Sequence, residues 1–271
     1  MIENHYARAD LYEAILAGLR QAGKDLSNLA PADLAPVDAF HVRGREATRE
    51  LSRLCALRPG LRVLDVGCGL GGSARYLAGE CGCRVTGLDL TADYCRVGRL
   101  LSERVGLAGR VDFRLGSALA LPFRDASFDV VWTEHAQMNI LDKPRLYGEM
   151  ARVLKPGGRL AFHDIFAGPA GDPRYPLPWA NEASYSFLAA PEAVRSLLGR
   201  LGLRPLHWED ATLKARDWYR AALERITARG LPPLGLHLLM GAASRDKLEN
   251  ALHGTEQGRL TFVLAVAEKA G

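Results

Sequence analysis

Hydrophobic spacing along the chain changes near residue 61. Before it, Leu11, Ile15, Leu16 and Leu19 form one helical stripe that stops at Gly23. A polar stretch containing Pro31 and Pro36 leads to Phe40-His41-Val42-Arg43-Gly44, and 45–57 is again helix-like, ending at Pro59-Gly60. The first sixty residues read as a helical N-terminal extension. Short apolar runs then predict strands at 62–66, 84–89, 111–115, 128–133 and 159–165, with helices over 73–79, 92–104 and 143–154. Strands alternating with helices in this way predict a parallel sheet covered on both faces. Residues 167–188, rich in Pro, Tyr and Trp, break the alternation. A helix over 191–201, a sixth strand over 204–208, helices within 211–254 broken near 230–233 and 241, and a last apolar strand over 259–267 complete the pattern.

Composition narrows the class. Of 271 residues, 48% are hydrophobic and 24% charged, which predicts a globular core and excludes disorder and coiled coil. The net charge of +4 is spread along the chain without a basic run, so no nucleic-acid partner is expected. Five cysteines, Cys55, Cys68, Cys81, Cys83 and Cys95, lack structural-zinc spacing and read as reduced thiols. Cys81-Gly-Cys83 reads as helix-to-strand filler, and no metal is expected. The polar start of the chain lacks a signal-peptide core, and no run approaches the ~20 apolar residues needed to span a bilayer. A cytoplasmic protein without a membrane partner is therefore expected.

The loop Gly67-Cys68-Gly69-Leu70-Gly71-Gly72 after the first strand carries the most chemistry. Glycines there let the backbone turn tightly and approach a ligand at the free N–H groups of a helix start. Gly67, Gly69 and Gly72 satisfy the dinucleotide spacing, a weak signal alone. Asp65, at the end of the strand, is a poor neighbour for a pyrophosphate and a natural partner for an ammonium. Asp89 ends the second strand, where a carboxylate accepts from ribose hydroxyls; the bland reading of either aspartate is a helix cap.

The ordered segments V-L-D-V-G-C-G-L-G-G, G-L-D-L, L-P-F-x-D-A-S-F-D-V-V and R-V-L-K-P-G-G-R-L resemble the class I S-adenosylmethionine-dependent methyltransferases over residues 63–165. The resemblance implies a Rossmann-like α/β sheet, mostly parallel with its last strand antiparallel. It also implies one domain over 1–271: an N-terminal lid (1–60), a cofactor core (61–166) and substrate-cap insertions (167–188 and 211–254). The implied cofactor is S-adenosyl-L-methionine, with S-adenosyl-L-homocysteine as product. Asp65, Gly67, Cys68, Gly69 and Gly71 would hold its methionine part, and Asp89 with Leu90 its ribose and adenine edge. Ser117 and Ala118 would flank the adenine, Ser117 standing where many relatives carry aspartate. Glu134 joins this shell, and Phe40 and Tyr6 would fold over it.

Residues 33–48, Trp132 to Ile140 and Tyr175 to Ala180 resemble the sarcosine and dimethylglycine N-methyltransferase type. That implies a small amine acceptor, with O- or C-methylation in natural-product metabolism as the alternative and a cofactor-binding protein without catalysis as a third reading. His135 and His163 are the candidate bases, although each also reads as a hydrogen-bonding or rim residue. Gln137, Asn139, Tyr175 and Trp179 are candidates for holding the acceptor, the aromatics through cation–π contact or as a satellite core beneath a lid. Met138 reads as core, and Trp218 and Tyr219 as cap or dimer surface. A monomer or homodimer is expected.

Overall fold

A computed structural model describes residues 10–271. Its seven strands lie in the order β3-β2-β1-β4-β5-β7-β6. They are β1 Arg62–Val66, β2 Arg84–Asp89, β3 Val111–Leu115, β4 Phe128–Glu134, β5 Leu154–Ala167, β6 Leu203–Asp210 and β7 Leu260–Lys269. The first five pair in parallel, and β7 runs antiparallel between β5 and β6. Val63, Leu64 and Val66 are buried on both faces of β1, as a central strand of a covered sheet requires.

The helices are α1 Leu11–Gln21, α2 Pro31–Asp38, α3 Arg45–Leu54, α4 Gly72–Gly79, α5 Ala92–Arg104 and α6 Lys143–Val153, followed by α7 Pro191–Arg200, α8 Thr212–Arg229, α9 His237–Met240 and α10 Ser244–Glu256. Two local differences from the sequence reading have plain causes. Pro31 and Pro36 read as loop punctuation, yet they lie in α2. Pro31 occupies the first turn, where no backbone donor is needed, and Asp33 caps the start by accepting from Ala30 N–H at 2.9 Å. β5 begins at Leu154, before Pro156-Gly157-Gly158, because Leu154 already pairs with Phe128 and the glycine turn is absorbed as a register shift.

Strand order reverses between β1 and β4, so their carboxyl ends border the crevice where open α/β sheets bind ligands. Asp65 and Gly67 stand at one end, Glu134 and His135 at the other. The N-terminal segment is tied over this edge by a buried ion pair, Arg75 Nη2 to Asp38 Oδ2 at 2.6 Å, linking α4 to α2. Arg75 also donates to Leu70 O, Gly98 O and Ser102 Oγ, so its charge is well compensated. Among the described residues no helix is long and apolar enough to cross a membrane.

Candidate active site

A cavity of about 470 Å³ opens at this edge. Its wall at the ends of β1, β2 and β3 is lined by Asp65, Gly67, Cys68, Gly69, Asp89, Leu90, Thr91, Gly116, Ser117 and Ala118. Gly67 takes the left-handed φ of +72°, and a Cβ there would sit 2.6 Å from Ala136 Cβ, so glycine is required on both counts. Gly71, also left-handed, caps the start of α4 without lining the cavity. The Asp89 carboxylate accepts from Gly69 N–H at 2.8 Å and Thr91 N–H at 2.9 Å, fixing the loop. Burial pushes its pKa up. Asp65 is 2% exposed, and its Oδ2 has no hydrogen-bond partner among the described residues. Burial raises its pKa well above the carboxylate range, with Glu134 and Asp89 adding to the rise. A buried acceptor beside two further carboxylates is a site for a cation, which suits an ammonium. Ser117 Oγ accepts from Leu119 N–H at 3.2 Å.

On the opposite wall, Glu134 is held by three side chains. Its Oε2 accepts from Ser73 Oγ at 2.5 Å, Trp132 Nε1 at 2.9 Å and Thr48 Oγ1 at 3.0 Å. His41 Nδ1 lies 3.5 Å from its Oε1. His135 lines the cavity in a left-handed conformation (φ +52°), unusual for a side chain of this size, with a buried Nε2 that has no partner among the described residues. Burial holds its imidazole neutral, well below the usual histidine pKa, and the nearby His163 and His41 rings act in the same direction.

Several sequence expectations need correction. His163 is fully buried behind the wall, neither on the cavity surface nor at a polar rim. Its ring lies 4.9 Å from that of His135, centre to centre. Asp164, next on β5, points to the opposite face of the sheet, as consecutive strand residues do. Asp164 instead accepts from Ala136, Gln137 and Ile165 N–H groups, and burial pushes its pKa up to about 6. Gln137 lies off the cavity, donating to Ile165 O at 2.5 Å. Tyr175 also lies off the cavity, beside Ser186. Asn139 lines the cavity, but its amide donates to Trp179 O and Tyr185 O, clamping the inserted segment. Tyr6 lies outside the described residues.

Phe40, Met138, Trp179, Trp218 and Tyr219 do line the cavity. Leu236, Leu239, Met240 and Leu248 close its apolar end. Sequence reasoning missed these last four, since apolar residues at helical spacing look alike whether they face a core or a ligand. It also missed Thr48 and Ser73, whose hydroxyls matter only through Glu134. Among the described residues, the carboxyl side chains on the wall are those of Asp38, Asp65, Asp89, Glu134 and Asp142, the basic ones are His41 and His135, and no Lys or Arg lines it.

Comparison with known proteins adds to this geometry. The sequence model described as "Methyltransferase domain" matches residues 64–162. The chain is 34% identical over 173 residues to the glycine/sarcosine/dimethylglycine N-methyltransferase of Actinopolyspora halophila, covering 64% of this chain and 31% of that protein. It thus spans about a third of that relative's length. It is 30% identical over 238 residues to the O-methyltransferase cnsE of Penicillium expansum, covering 88% of this chain and 82% of that one. In fold it is similar to geranyl diphosphate C-methyltransferase from Streptomyces coelicolor A3(2), solved with Mg2+, geranyl diphosphate and S-adenosyl-L-homocysteine. The TM-score is 0.69 at 20% identity, over 83% of this chain and 78% of that one.

Proposed function

The chain belongs to the class I S-adenosylmethionine-dependent methyltransferases, and from that premise we propose that it methylates a hydroxyl of a small, largely apolar acceptor bearing no anionic group. Asp65, the loop from Gly67 to Gly71 and Asp89 would hold S-adenosylmethionine, the first through its ammonium and the last through its ribose. Bound there, the cofactor supplies an electrophilic methyl on a cationic sulfur. The chain's own residues then have two tasks, to align the acceptor oxygen and to keep water away.

The observation that carries the acceptor class is the makeup of the far wall. Trp179, Trp218, Tyr219, Leu239, Met240 and Leu248 give it apolar bulk, and none of the described lining residues is a Lys or Arg. A carboxylate or phosphate held against this apolar wall would find no counter-cation among its residues, which disfavours glycine-like and phosphorylated amines. His135 Nε2, buried and without a partner, is the group suited to take a hydroxyl proton; an amine lone pair needs no such base. Residues 31–54, 167–188 and 211–254 act in this reading as the closing cap.

The 34% identity to the Actinopolyspora enzyme supports a second reading, N-methylation of a small amine. A methyl-labelled cofactor offered with neutral apolar phenols and alcohols, and in parallel with glycine, sarcosine and dimethylglycine, separates the two. Labelled ethers are expected. Labelled N-methyl products from the glycine series, with none from hydroxyl acceptors, would select the second reading.

A further inference from the structure

His41, Glu134 and His163, all buried, bring three ligand-type atoms to one gap. Thr48 Oγ1 has one proton, and its best acceptor is Glu134 Oε2 at 3.0 Å. Towards His41 Nε2, 3.3 Å away, the hydroxyl can then only accept, so the His41 proton sits on Nε2. In the neutral ring, Nδ1 then carries a lone pair facing Glu134 Oε1 at 3.5 Å. A His163 ring nitrogen lies within 4.8 Å of both, and neither His163 ring nitrogen has a hydrogen-bond partner among the described residues. Three buried ligand-type atoms facing one gap, with no such partner for the His41 Nδ1 or the His163 nitrogens, suit a bound cation.

We propose that His41, Glu134 and His163 bind a divalent transition-metal ion of the zinc type. Two imidazoles and a carboxylate suit zinc, iron or nickel better than magnesium or calcium. The 3.5 Å between His41 Nδ1 and Glu134 Oε1 matches the donor spacing of about 3.4 Å set by tetrahedral bonds of ~2.1 Å. The second layer is already in place. Ser73, Trp132 and Thr48 occupy Glu134 Oε2 and turn Oε1 to the gap, while Thr48 fixes the His41 tautomer. The ligands come from the loop before α3, the end of β4 and the middle of β5, so no spacing along the sequence announces them. His41 and Glu134 both line the cavity, which leaves the ion an open position towards it. On the methyl-transfer reading, that position would take the acceptor's hydroxyl oxygen.

The test is a titration of the full chain, stripped by chelator and dialysed, with Zn2+ followed calorimetrically and with Co2+ followed by visible absorption. One equivalent is expected, without the near-ultraviolet thiolate band that cysteine ligation gives. His163→Ala and Glu134→Gln, each checked for folding by circular dichroism, should weaken binding by more than about 100-fold. Thr48→Val should weaken it by about 10–100-fold. His207→Ala, on β6, should leave it unchanged. No stoichiometric binding, equal binding in the parent and His163→Ala, or a thiolate-type cobalt spectrum would each overturn the proposal. A parallel S-adenosylmethionine titration keeps the two readings apart, because cofactor binding without metal binding defeats only this one.

Discussion

Asp89 fixes the glycine loop through the same carboxylate that we propose reads the ribose. Its two oxygens accept from Gly69 and Thr91 N–H groups, and it still faces the cavity at the end of β2. Asp89→Ala should therefore weaken S-adenosylmethionine binding by about 1.5–3 kcal/mol, as expected for charge-assisted hydrogen bonds. Unchanged affinity in calorimetry would move the ribose elsewhere. Gly67→Ala should destabilise the fold by about 1–2 kcal/mol through its left-handed φ alone. The approach to Ala136 Cβ should add to that, and an unshifted denaturant midpoint would contradict it. These two residues were legible in the sequence because local spacing marks them. Gln137, Asn139 and His163 were not, since Gln137 bonds to β5, Asn139 to the inserted segment, and His163 is enclosed beside His41 and His135, all set by parts of the chain distant in sequence.

At the scale of elements, α2 matters most and was the least legible. Its two prolines argue for loop, and only Asp33 as a cap and the Arg75–Asp38 pair explain why it is ordered. Gly72, in the first turn of α4, permits that docking: a Cβ there would sit 2.3 Å from Asp38 O. Arg75→Met should lower stability by about 3–5 kcal/mol, because it leaves the Asp38 carboxylate buried without its cation. Urea unfolding reads this directly, and a loss below about 1 kcal/mol would mean that the pair is dispensable. The strands of the cofactor core, by contrast, were readable nearly to the residue. Buried parallel strands are short apolar runs bounded by glycine turns, and little outside them decides their ends.

Across the whole molecule, the cap is held to the sheet by charge as well as by apolar contact. Lys214 of α8 bridges Glu50 of α3 and Glu209 of β6 at 2.6 Å each, and Arg43 joins through Glu50 at 2.7 Å. Lys214 and both glutamates are partly exposed, so Lys214→Ala should cost about 1 kcal/mol or less at low salt, and less again at high salt. A salt-independent loss in thermal unfolding would show that α8 depends on packing instead. The central claim, that Asp65, the glycine loop and Asp89 form an S-adenosylmethionine site, is tested most directly by calorimetric titration of the full chain with that cofactor and then with S-adenosylhomocysteine. One site that takes either ligand in competition, and is weakened in Asp89→Ala, is the predicted result. Absence of heat with both ligands, from protein shown to be folded, would contradict it.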